Sequence, residues 1–203
     1  RYKTVDNLIK EISDLQSNYH RPQLHFVDDN LSFDRKWTIE FLDKLAEKNL
    51  KLDVTCSNFH YKRLDEEILD KLFKVGVNEI AIALESGSPS VNKRIHRVLD
   101  WKKAKRIVDH TRKRKKWSTC FWMVGFPGET MDELNQTFKA AKDIRSTTAI
   151  FSKVTPYPGT KLWETAKEFN ALTVDDNHSM NAIDSMIDLF LYRSSKGIIK
   201  SKE

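Results

Sequence analysis

The chain has 203 residues, close to a single domain on the usual scale of about 150 residues each, and long enough to bury a sizeable core. With 35 Lys and Arg against 29 Asp and Glu, it carries a net charge of +6. Only two cysteines, 11 Phe and no long apolar run exclude a disulfide scaffold, a disordered chain and a helical membrane span, and the start shows no signal-peptide core.

Val5, Leu8, Ile9, Ile12 and Leu15 recur at helical spacing, so residues 4–19 are expected to form an amphipathic helix that ends before Pro22. Leu24 to Val27 is a short apolar strand ending on Asp28, Asp29 and Asn30. A helix over about 34–48 presents Thr38, Phe41, Leu42 and Leu45 on one face, and a strand over 52–56 ends on Ser57 and Asn58. Residues 65–74 form a third helix, with Asp65 as N-cap and Gly76 as stop. Residues 79–84 are apolar on both faces after the first, as a buried parallel strand requires, and end on Glu85-Ser86-Gly87.

A helical stretch broken near Asp100 runs to about Lys116, and Cys120 to Val124 is again continuously apolar. It ends on Gly125-Phe126-Pro127-Gly128-Glu129. A helix over 130–144 is expected to bury Met131, Leu134, Phe138 and Ala141. A last strand over 149–154 ends on the segment Thr155 to Thr160, and 161–169 is helical. Strand–helix units recurring about every 30 residues imply βαβ crossovers and a parallel sheet. Beyond 170 the pattern changes to one more helix around 183–191 and a polar tail. The expected division is therefore 1–170 and 171–203.

Four of the six glycines and four of the five prolines gather in three of these strand-end segments. In parallel α/β proteins, ligands sit at the carboxyl ends of strands. Turns favour such residues in any case. Five polar strand ends together, one with an acidic residue at the tip of a fully apolar strand (Glu85), point to a shared binding rim. On this expectation Asp28, Asn30, Glu85, Ser86, Gly125 and Tyr157 surround one cleft.

Phe-Val-Asp-Asp-Asn at 26–30, Ala-Leu-Glu-Ser-Gly-Ser at 83–88, Ile-His-Arg at 95–97, Val-Gly-Phe-Pro-Gly-Glu-Thr at 124–130 and Thr-Pro-Tyr-Pro-Gly-Thr at 155–160 occur in order. Over residues 4–170 they resemble the core of a radical S-adenosylmethionine (SAM) enzyme, in particular the branch whose members often carry a cobalamin-binding domain. The resemblance implies an α/β fold: a partial (β/α)6 barrel of five parallel strands with outer helices, followed here by the C-terminal helix. It implies SAM, a 4Fe–4S cluster and, in this branch, cobalamin as cofactors. Reductive cleavage of SAM would yield a 5′-deoxyadenosyl radical that abstracts a hydrogen atom.

The family's Cys-x-x-x-Cys-x-x-Cys cluster loop does not occur in the sequence. Cys56 and Cys120 lie far apart and suit small buried hydrophobes. The cluster ligands are thus expected upstream of Arg1, and no catalytic or metal-binding residue is assigned within the chain. Carried over by resemblance, Asp28, Asp29 and Asn30 hold the methionyl ammonium. Glu85 and Ser86 meet the ribose or aminoacyl part. Arg97 pairs with the SAM carboxylate, and the backbone of Val124, Gly125, Phe126, Pro156 and Tyr157 flanks the adenine. Ser57 joins this rim at the second strand end. Glu129 suits the positive end of the following helix.

Nine Lys and Arg between 102 and 116 suit either a solvated helix face or a nucleic-acid footprint, the former being the commoner outcome. Three functions follow: a cobalamin-associated radical SAM enzyme such as a methyltransferase, acting on a small-molecule or lipid-like substrate; a tRNA or protein methylthiotransferase; and a non-catalytic basic RNA-binding module. Against the second, Glu-Ser-Gly-Ser stands where such enzymes usually show Gln-Ser-Gly. A cytoplasmic setting and a reductant protein partner complete the expectation.

Overall fold

The computed structural model describes residues 3–19, 23–27, 30–49, 53–56, 59–168 and 192–193. They fall into two units. The first comprises 1–83 and 100–119, and the second 84–99 and 120–203.

The order of elements begins with helix α1 (Val5–Asn18), strand β1 (Gln23–Phe26), α2 (Arg35–Glu47), β2 (Asp53–Cys56), a 3-10 turn (Tyr61–Arg63), α3 (Glu66–Lys74) and β3 (Glu79–Glu85). It continues with α4 (Pro89–Arg94), α5 (Trp101–Lys113), β4 (Trp117–Val124), α6 (Met131–Ile144), β5 (Thr148–Lys153), α7 (Lys161–Glu168) and β6 (Tyr192–Arg193). The class is the expected α/β one. β1 and β2 pair in parallel from Gln23 opposite Asp53 to Phe26 opposite Cys56. The second sheet runs β3-β4-β5-β6. A single parallel bridge between Phe59 and Ile82 ties the segment after β2 to β3.

Local chemistry sets the helix starts. Thr4, Asp34, Asp65, Ser88, Asp100 and Thr130 each accept a hydrogen bond from a backbone N–H in the first turn of the helix they precede. Each such cap satisfies a donor the helix leaves orphaned, for about 1 kcal/mol. Gly76, at φ +103°, ends the third helix segment in the left-handed region, as its position in the sequence implied. In the first unit α2 and α3 bury Phe41, Leu42, Leu45, Ile68, Leu69 and Leu72. Trp37 stacks on Phe41 at 5.3 Å between ring centroids.

Three features depart from expectation. β3 is buried on one face only, through Ile80, Ile82 and Leu84, with Ala83 exposed, where burial on both faces was expected. The buried face of α6 is Glu133, Thr137, Ala141 and Ile144, whereas Met131 and Phe138 are exposed. Apolar periodicity mislocates this face because α6 packs through polar side chains against the Ser86–Arg94 segment. The sheet also gains β6, antiparallel to β5 with Thr148 opposite Arg193. The helix expected around 183–191 and the polar tail lie outside the described residues.

Gly87 lies hard against α6. A Cβ there would lie 2.5 Å from Ala140 Cβ and 2.8 Å from both Thr137 Cα and Gln136 O. Backbone atoms of a packed helix cannot yield cheaply, so Gly87→Ala is expected to destabilise the fold by about 1–3 kcal/mol. Denaturant unfolding of the two proteins, compared at unchanged m-value, measures it.

Candidate functional site

Asp28, Asp29 and Ser57 lie outside the described residues. Asn30 belongs to the first unit, where its side-chain oxygen accepts from Ser32 N (3.2 Å), Ser32 Oγ (2.8 Å) and His60 N (3.4 Å). It thereby ties the loop after β1 to the segment after β2. The other candidate residues belong to the second unit, and each group is described within its own unit.

At the end of β3 the chain takes an unusual turn. Glu85 has φ +66°, and Ser86 N donates to Leu84 O across it at 2.9 Å. A hydrogen bond spanning one positive-φ residue is a γ-turn of the rare, strained hand. The Glu85 side chain, 22 % exposed, stands 3.7 Å from Arg97 Nη2. That separation is an ionic contact rather than a hydrogen bond. Arg97 is itself anchored by its backbone N–H on Asn92 O at 2.8 Å, while its side chain remains 58 % exposed. Exposed pairs of this kind contribute about 0–1 kcal/mol, so a ligand can compete for both partners.

Behind this turn lies a buried polar network. The Ser86 and Thr137 hydroxyls are 3.0 Å apart, and Gly87 N donates to Thr137 Oγ1 at 3.1 Å. Ser88 N donates to Ser86 Oγ at 3.1 Å, and Asn92 Nδ2 donates to Ser86 O at 2.6 Å. Ser90 Oγ donates to Glu133 Oε1 at 2.5 Å, and Arg94 grips both carboxylate oxygens at 2.7 and 3.0 Å. Thr130 N donates to Glu133 Oε2 at 2.9 Å, completing a capping box. Arg94 first, then Ser90 and the Thr130 amide, hold the Glu133 carboxyl far below its ordinary range. Burial opposes this shift and is outweighed.

The loop after β4 is closed by Glu129. Its Oε2 accepts from Gly125 N at 2.6 Å and Phe126 N at 3.2 Å. The carboxylate thus turns back onto the loop instead of serving the start of α6, which Thr130 caps. Gly125 and Gly128, at φ +82° and +72°, supply the left-handed backbone this needs. Val154 N donates to Val124 O at 2.8 Å, so the Gly125 loop and the Pro156–Tyr157 segment issue from neighbouring strand ends. Tyr157 is exposed, and its carbonyl accepts from Thr160 Oγ1 at 2.7 Å. In the second unit the structure thus brings Glu85 to Arg97 and Val124 to the base of the Pro156 segment.

Sequence reasoning singled out neither Glu133, Thr137 nor Arg94. A readable signal existed: Thr130-x-x-Glu133 is a capping-box spacing, and Ser88-Pro89 is a cap followed by a proline in the first helical turn.

The residues of this chain do not fit an iron–sulfur cluster. Among the described residues no group of three or more His, Cys, Asp or Glu can hold a metal ion. Cys56 and Cys120 are buried and not joined in a disulfide, and burial pushes the Cys120 thiol up to about 12, where it is no thiolate. The rim of the second unit, by contrast, offers a carboxylate, a guanidinium and two exposed glycine–proline loops. That is a donor set suited to a ribose, an aminoacyl group and a flat base. The basic run is partly self-paired: Asp109 holds Lys105 and Arg112, and Asp70 holds Arg114. A cavity of about 330 Å³ opens in the first unit between Leu64–Glu67 and Lys103, Arg106 and Ile107, and no strand-end candidate among the described residues lines it.

The radical SAM superfamily model matches residues 1–141. The chain belongs to that superfamily. It is 26 % identical over 196 residues to an uncharacterised methyltransferase of Pyrococcus horikoshii, covering 97 % of this chain and 42 % of that protein. It is 28 % identical over 160 residues to a tRNA-2-methylthio-N(6)-dimethylallyladenosine synthase of Corynebacterium glutamicum, covering 77 % and 31 %. The radical SAM methyltransferase TsrM of Kitasatospora setae, solved with cobalamin and a 4Fe–4S cluster bound, superposes with a TM-score of 0.66 at 18 % identity, over 81 % of this chain and 31 % of that one. That likeness shows the fold. The chain spans between about a third and two-fifths of the length of these proteins. No helix among the described residues is long and apolar enough to cross a membrane.

The Glu133 contacts make the second unit sensitive to acid. Because its carboxyl is depressed from an ordinary 4.5, its stabilisation is fully present above that pH and is lost as pH falls further. Glu133→Gln is expected to melt at lower temperature near neutral pH and to lose less on acidification than the parent. Thermal melts taken from pH 7 to pH 3 check the two slopes.

Proposed function

We propose that this chain is the SAM-binding part of a radical SAM enzyme, a methyltransferase of the cobalamin-associated branch. The observation that carries the reading is the Glu85 carboxylate, held at the end of β3 by a strained turn with Arg97 3.7 Å away. A carboxylate accepts from vicinal hydroxyls, and a guanidinium takes a carboxylate in a fork. Glu85 receives the ribose hydroxyls and Arg97 the methionyl carboxylate. Glu129 fixes the Val124–Phe126 backbone so that it and the Pro156–Tyr157 segment flank the adenine. Ser86 is fully buried, with its hydroxyl, N–H and carbonyl all committed inside the protein, and so supports the site without touching the cofactor.

A 4Fe–4S cluster held by residues outside this chain would supply the reductive chemistry, and cobalamin would supply a methyl carrier; the rim residues here would bind and orient SAM. The cluster thiolates come from residues outside this chain, since its own two cysteines do not fit. The substrate is a small or lipid-like molecule. The electrons come from a reductant protein in a reducing, cytoplasmic setting. A methyltransferase is preferred to a methylthiotransferase because the methyltransferase relative is matched by 97 % of the chain, against 77 % for the methylthio one.

Anaerobic reconstitution with iron and sulfide tests the reading. The 203-residue chain is expected to form no cluster and no 5′-deoxyadenosine, and the full-length protein to form both. With cobalamin added, transfer of a methyl group without sulfur is the expected product signature. Cluster assembly on the short chain, or a full-length protein that neither binds nor cleaves SAM, overturns it.

A further inference from the structure

We infer that Thr137 is a positioning residue for the cofactor: from α6 it holds the strained turn that aims the Glu85 carboxylate. The inference rests on the reading that Glu85 meets SAM. A left-handed glutamate in a γ-turn persists only where its surroundings over-determine it, and such strain concentrates at binding sites.

The surroundings here leave little freedom. Thr137 and Ser86 are both fully buried. Thr137 Oγ1 donates to Glu133 O at 3.3 Å, one turn back along α6. Ser86 Oγ lies 3.0 Å from the same hydroxyl, in a hydrogen bond in which either oxygen can donate. Ser86 Oγ accepts from Ser88 N at 3.1 Å, and Thr137 Oγ1 accepts from Gly87 N at 3.1 Å. Two consecutive residues after Glu85 are thus pinned to one hydroxyl, while Asn92 fixes the Ser86 carbonyl at 2.6 Å. Gly87 presses so closely on α6 that the turn cannot slide along the helix. The hydroxyl of Ser86 faces inward and cannot reach a ligand, so both hydroxyls act through Glu85.

Binding of S-adenosylhomocysteine, which keeps the ribose and amino-acid groups, tests this on the cluster-loaded full-length protein by calorimetry. Thr137→Val keeps the shape and removes the hydroxyl that bonds Gly87 N and Ser86 Oγ. It is expected to weaken binding about tenfold, on the scale of one lost buried hydrogen bond, whereas Thr137→Ser binds as the parent does. In a Glu85→Ala background, Thr137→Val is expected to add nothing, because the carboxylate it aims is gone. A full additive loss in that background overturns the inference, since the threonine would then act only as general scaffold. So does undiminished binding by Thr137→Val when Glu85→Ala alone weakens it. If Glu85→Ala binds normally, the assignment of Glu85 falls and this inference with it. Should Thr137→Val fail to fold, Ser86→Ala is carried through the same cycle with the same expectations.

Discussion

One carboxylate organises the second unit. Glu133 accepts hydrogen bonds from Arg94, Ser90 and the Thr130 amide. In doing so it starts α6, orients α4 and fixes where the two helices meet. Its partner Arg94 is partly exposed, so water shares the charge of the pair and the burial penalty is modest. The energetic weight of the arrangement lies in its satisfied hydrogen bonds. Glu133 is itself buried, so removing a partner would leave its carboxylate short of hydrogen bonds, which costs more than the bond contributes.

From that tie the geometry of the rim follows. Once α6 is docked by Glu133 on the Ser90–Arg94 segment, Thr137 lies one turn further along, opposite Ser86 and Gly87. The absence of a side chain at Gly87 lets helix and turn touch. The turn in turn sets Glu85 in a backbone conformation that an L-residue rarely adopts. A second carboxylate, Glu129, does comparable work on the next loop by gathering two backbone amides. Both devices place backbone and charge at strand ends without spending a flexible side chain on the task. Such preorganisation lowers the entropy lost when a ligand binds.

The buried face of α6 shows how far sequence pattern reaches. Periodicity favours Met131, Leu134, Phe138 and Ala141, a plausible apolar stripe, yet Met131 and Phe138 are exposed. Periodicity assumes that helices dock through hydrophobic side chains. Here the docking groups are hydroxyls, a carboxylate and a guanidinium, each paired by residues distant in sequence, and no window along the chain displays that pairing. Where packing is apolar, as with Phe41, Leu42, Leu45, Ile68, Leu69 and Leu72, the face expected from spacing is the buried one.

The sequence by itself determined the order of strands and helices, the cap at Asp65, and the gathering of special residues at strand ends. These depend on local rules: side-chain periodicity, the hydrogen-bonding reach of a cap, and the φ freedom of glycine. The motifs in register also located the family. The tertiary structure alone decided that Glu85 adopts a left-handed turn beside Arg97, that the hydroxyl of Ser86 points inward, and that Glu129 closes its own loop. Each of those outcomes depends on a partner brought from another element, and an isolated segment has no means of fixing a conformation whose support lies elsewhere in the fold.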